Sequence, residues 1–125
     1  MPASDYAEKA VLDWLLGGAT PTRPSNRYVS FATQTPTSQS TFDHPSTPAR
    51  FTATFAVANS PQGSCTNLNT IIVSVGPAAV TAKGVNIWDA AAGGNRLAYG
   101  GIANIGAKSA DQWSFNPGGL KISLA

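Results

Sequence analysis

One histidine, one cysteine and six carboxylates are the groups from which this chain would have to assemble acid, base, thiol or metal chemistry. His44 lies between Asp43 and Pro45. An imidazole beside a carboxylate can act as the base for a serine hydroxyl when an aspartate orients it, and serines are plentiful. No Gly-x-Ser-x-Gly turn is present to expose such a nucleophile. A structural zinc site takes several Cys or His at short spacing, and a calcium loop takes a fixed run of oxygen ligands. His44 and Cys65 fit neither pattern. Glycoside hydrolysis uses a pair of carboxyl groups at a set separation. The single glutamate, Glu8, stands where a helix begins, and nothing in the spacing of Asp5, Asp13, Asp43, Asp89 and Asp111 favours a pair. Gly93-Gly94 and Gly118-Gly119 fall between strands, so they read as turn glycines and not as a phosphate cradle. The sequence therefore predicts no catalytic residue, no cofactor and no metal. Trp14, Trp88 and Trp113 each sit in an apolar pattern and are expected in a core or an interface. Sugar stacking on Trp88 or Trp113 is the alternative.

The elements that would carry these groups are few and short. Over Asp5 to Leu16 the residues Ala7, Ala10, Val11, Trp14 and Leu15 recur at helical spacing, with Asp5, Lys9 and Asp13 on the other side. Ser4 or Asp5 can cap the first turn, with Glu8 reaching back to Asp5, and Gly17-Gly18 supplies the stop. Leu12 and Leu16 widen the stripe beyond what one docking face needs, so this helix is expected to pack on its own domain or on a partner. From Arg27 onward the period becomes two. Strands are predicted at 27–33, 51–58, 68–75, 80–88, 96–100, 112–115 and 120–124, with the 80–88 and 96–100 strands as a hairpin and the last two strands as a pair. In the first hairpin Asp89 can bond backbone amides of the connection, and Gly93, Gly94 and Asn95 can take positive φ.

The stretch from Gln34 to Arg50, rich in Ser, Thr and Pro with Phe42 as its one large apolar residue, reads as a long surface loop and a candidate contact arm. Such strands with turn chemistry between them predict a mainly β chain, an antiparallel β-sandwich or small barrel with one short N-terminal α-helix. The 125 residues form one domain in this reading, with the helix at 5–16 and the sandwich at 27–125.

Composition narrows the partners. Charged residues make up 11% and leave a net charge of +2, with no basic cluster, so nucleic acid is not expected. A lone cysteine gives no internal disulfide and suits a reducing compartment. No apolar run is long enough to span a membrane, and the amino end lacks a secretory leader pattern, so a soluble chain made inside the cell is expected.

The order of the helix YAEKAVLDWLLGG, the strand YVSFATQTPT, the hairpin VNIWDAAAGGNRLAYG and the closing NPGGLKISL resembles small tail-fibre-like structural proteins of tailed bacteriophages. The resemblance is carried by Val85, Ile87, Asp89 to Ala91, Gly93 to Asn95, Leu97 and Tyr99, and by Pro117, Gly119 and Leu120. Many members carry a glycine-rich stretch before the strand at Phe51, where this chain has Asp43 to Pro48. The resemblance implies a non-enzymatic β-sandwich component of the virion, assembled in the host cytoplasm with other virion proteins such as the major capsid or a tail protein. A capsid decoration subunit, a cement or head-fibre base protein, is the first expectation, favoured by the low charge. A tail fibre or baseplate component is the second, and a carbohydrate-binding module for host attachment is the third. A homo-oligomer, a trimer by analogy with such subunits, is expected. The candidate contact residues are Leu12, Trp14 and Leu16 on the helix, and Phe42, His44 and Arg50 on the loop.

Overall fold

The computed structural model describes residues 3–42, 50–56, 64–69, 71–74, 80–107, 112–115 and 120–123. One helix, α1 (Asp5–Leu15), precedes eight strands: β1 (Arg27–Ala32), β2 (Phe51–Ala53), β3 (Ser64–Thr66), β4 (Ile71–Ser74), β5 (Val80–Trp88), β6 (Arg96–Ala107), β7 (Gln112–Phe115) and β8 (Lys121–Ser123). The chain is mainly β and antiparallel, with a four-stranded sheet in the order β2-β1-β5-β6 and two shorter ladders, β3-β8 and β4-β7. Among the described residues the ladders do not close into a barrel. The strands meet as layers.

Register explains the core. Val29 pairs with Phe51 and Ile87, Phe31 with Val85, and Ile87 with Ala98. Alternation then puts these side chains on one face of the sheet. They form a single cluster with Ala53 and with Leu120, beside β8, while Phe55 and Ile122 pack at its margin. Leu120 reaches the cluster because Asn67, fully buried after β3, accepts its N–H through Oδ1 at 2.9 Å. The chain beyond β2 changes partner: Ala56 N–H bonds Thr66 at 2.9 Å and Leu68 N–H bonds Thr54 at 2.7 Å. This corner joins the main sheet to the second layer.

Two expectations about strands are corrected. The region read as one strand over 68–75 contains β4 only from Ile71, and β3 at Ser64–Thr66, a stretch with one apolar residue, was not anticipated. The last two strands do not pair with each other. β7 bonds β4 and β8 bonds β3, because burial of Leu120 and Ile122 against the main sheet fixes β8 in a different ladder.

Helix α1 starts where Ser4 Oγ accepts the Ala7 N–H at 3.2 Å, so Ser4 is the cap and the Asp5–Glu8 capping box does not form. Gly17 closes it at φ 96°, a conformation that costs glycine nothing. The helix is tied to the sheet at its start: Ala3 bridges Ala98, Ser4 N–H bonds the Leu97 carbonyl at 2.8 Å, and Ser4 Oγ donates to the Arg96 carbonyl. Ala3 and Ser4 are buried, yet no residue of α1 itself is.

Candidate functional site

The second face of the main sheet carries Ser30 of β1 and Asn86 of β5, and both are buried. Buried polar groups demand partners, and a strap of chain supplies them. Residues 34–42 fold back over this face. Asn86 Nδ2 donates to the Thr41 carbonyl at 2.9 Å, and its Oδ1 accepts from Arg96 Nη1 at 2.9 Å. Arg96 spreads its guanidinium further, to the carbonyls of Ser40 at 3.3 Å and Thr37, while lying over the Tyr99 ring at 4.3 Å. Close approach is made possible by Gly84, where a Cβ would stand 2.2 Å from Pro36 and 2.9 Å from the Gly100 carbonyl. Pro36 is buried in this slot.

Over 34–42 the surface loop expected at Gln34 to Arg50 is tied down: its outer side meets water, and its backbone carbonyls are bonded to side chains of β5 and β6. Phe42 ends the strap at φ 49°, half-buried, with its carbonyl accepting the Thr33 N–H at 3.0 Å. His44 lies outside the described residues.

The β5-β6 turn forms a second polar cluster. Asp89 accepts the Asn95 N–H at 2.7 Å and the Asn95 side-chain amide at 3.1 Å, the expected role for a carboxylate ahead of a tight return. Gly93 and Gly94 take φ of 61° and 71°, as their placement predicted, whereas Asn95 does not take positive φ. Arg50 locks the turn from outside. It donates to the carbonyls of Ala90 at 2.8 Å and Gly93 at 2.7 Å, and its guanidinium covers the Trp88 ring at 3.7 Å. Trp88 is buried and donates from Nε1 to Ser30 Oγ at 2.9 Å. A ring already stacked under an arginine is closed to a sugar, which removes Trp88 as a carbohydrate platform. The side chain of Trp113 lies outside the described residues. Cys65 is half-buried, and burial pushes its thiol pKa up, so it is a weak nucleophile. Among the described residues no group of three or more His, Cys, Asp and Glu is placed to hold a metal.

Helix α1 stands apart from these closed faces. Leu12, Trp14 and Leu16 are all exposed, Leu16 at 81%, and Tyr6 and Leu15 join them. Between α1 and residues 20–24 runs an open groove of about 550 Å³, walled by Tyr6, Ala10, Val11 and Trp14 on one side and Pro21 and Pro24 on the other, with Leu97 and Asp89 among its lining. The structure therefore gathers three of the sequence-predicted contact residues, Leu12, Trp14 and Leu16, on one open element, and places Phe42 and Arg50 on the chain's own sheet.

Sequence reasoning missed the anchors Asn86 and Arg96. Their signal was available: an asparagine amid the apolar residues of Val85 to Trp88, and glycines at 84, 100 and 101 inside strands, where glycine marks close approach of another backbone.

Among the described residues the geometry assembles contacts and turns. A search of curated proteins returns no match. A family model, described as podophage GP4 fiber I protein gp80, matches residues 2–123. The chain accordingly belongs to the podophage GP4 fiber I protein gp80 family and is a fibre-like structural protein of the phage virion.

Proposed function

We propose that the protein is a non-enzymatic subunit on the outside of the virion, a capsid decoration protein of the cement or head-fibre base type. In this reading α1 is buried in the assembled particle. One observation carries it: a sheet whose buried centre is covered on both faces by its own chain holds out, from buried Ala3 and Ser4, a helix with none of its residues buried. Monomeric soluble proteins rarely leave such a patch open, and contiguous exposed apolar surface marks an interaction site. Low charge agrees with this, since subunits crowded on a lattice gain more from apolar contacts than from salt-screened ion pairs. The contact residues are Leu12, Trp14 and Leu16.

A second reading, a component of a tail fibre or baseplate, is favoured by the word fiber in the family's description. Copy number separates the two. Quantitative mass spectrometry of purified particles is expected to find hundreds of copies of this chain. A few to a few dozen would overturn decoration in favour of the tail.

A further inference from the structure

The last two turns of α1 are apolar almost all round, with Val11, Leu12, Trp14, Leu15 and Leu16 interrupted by Asp13 alone. A helix of that character is ordinarily buried on all sides. Here Tyr6, Leu12, Trp14, Leu15 and Leu16 remain 46, 55, 57, 63 and 81% exposed. Their side chains leave on the order of 500 Å² in water, taking each leucine and aromatic at its usual buried area. A standard interface draws about 800 Å² from each partner. With Tyr6 and Trp14 of the groove wall included, one helix thus supplies more than half of a partner's share.

We propose that the occupant of the groove is a second copy of this chain: the Leu12–Leu16 ridge of one copy seats between α1 and residues 20–24 of the next. The inference rests on the reading of α1 as buried in the particle and names what buries it. Ridge and groove lie on different sides of the same helix. At about 100° per residue Ala10 and Trp14 point one way while Leu12 and Leu16 point away from them. Each copy therefore offers both a knob and a socket, a head-to-tail contact that forms a ring where the rotation closes. Charge agrees with the fit. Asp5 and Glu8 share the ridge side, Arg23 lines the groove, and among the described residues none of the three has an ion-pair partner within the chain. Lys9, on the ridge side, is already paired with Asp13.

Sedimentation of the full chain over micromolar concentrations tests this. The wild type is expected as a multiple of 12.8 kDa, and Leu16→Glu, which alters an exposed side chain, as the single chain with unchanged circular dichroism. Loss of one central apolar anchor should weaken association by at least ~30-fold. Glu8→Arg and Arg23→Glu should each weaken it, and the double exchange should restore it. A wild type that stays at the mass of one chain overturns the proposal, as does a Leu16→Glu variant that keeps the wild-type mass or an exchange without rescue. If the wild type is a single chain and Leu16→Glu still lowers occupancy on virions, a different virion protein fills the groove and the virion reading survives without self-association. If the chain self-associates but is absent from particles, the virion reading fails and this inference stands.

Discussion

The four-stranded sheet and helix α1 meet at the start of β6, and they dispose of their apolar residues in opposite ways. On the sheet, one face is filled by Val29, Phe31, Val85 and Ile87 and closed by Leu120, and the other is closed by the strap at 34–42. On the helix, Leu15 and Leu16 lie open, 63 and 81% exposed. Residues whose partners lie within the chain specify the fold, and under the proposed function the residues left exposed on α1 belong to a contact made later. That division suits a virion structural protein, which must fold before it joins the particle.

The largest effect should come from the closed side. Ile87→Ala empties a site that is 1% exposed between Val29 and Ala98, and loss of buried methylenes with a cavity left behind costs about 2–5 kcal/mol. Urea unfolding followed by circular dichroism should record it. A change of a few tenths would place Ile87 outside the core and dissolve the contrast. A smaller loss is expected from Gly84→Ala, whose new methyl would push Pro36 from its slot. Overpacking of this kind costs about 1–3 kcal/mol. An unchanged midpoint would mean that the strap does not bear on the sheet. Smallest in stability is Leu16→Glu, expected to stay within about 0.5 kcal/mol as exposed positions do, even though the same change should abolish association. Equal losses from Ile87→Ala and Leu16→Glu would erase the distinction between the two regions.

Much of this arrangement could be read in the residues, and the part that could not has a physical cause. The helix stripe, the alternation in β1 and β5, and the Asp89 turn are local patterns, and local patterns survive in sequence. The strap left no such mark because it is held through its own carbonyls, those of Thr37, Ser40 and Thr41, and a carbonyl is common to every residue. Its trace lies on the donors, Asn86 and Arg96, and on Gly84, which leaves room for Pro36. The pairings β3-β8 and β4-β7 join strands distant in the chain, and strands of three or four residues carry too little pattern to choose a partner. Of the candidate contact residues, the helical ones could be singled out because Leu12 and Leu16 exceed one docking stripe. The bonds of Arg50 to Ala90 and Gly93 could not be read, since they exist only once the turn has formed.

Hydroxyl-radical footprinting of Trp14 and Trp88, in the isolated Leu16→Glu chain and in the wild-type chain on purified virions, asks directly whether assembly buries α1. Trp88 should resist oxidation in both settings, under Arg50. Trp14, 57% exposed in the chain alone, should be oxidised there and protected on the particle. Equal oxidation of Trp14 in the two settings would contradict the assignment of α1 as the element that assembly buries.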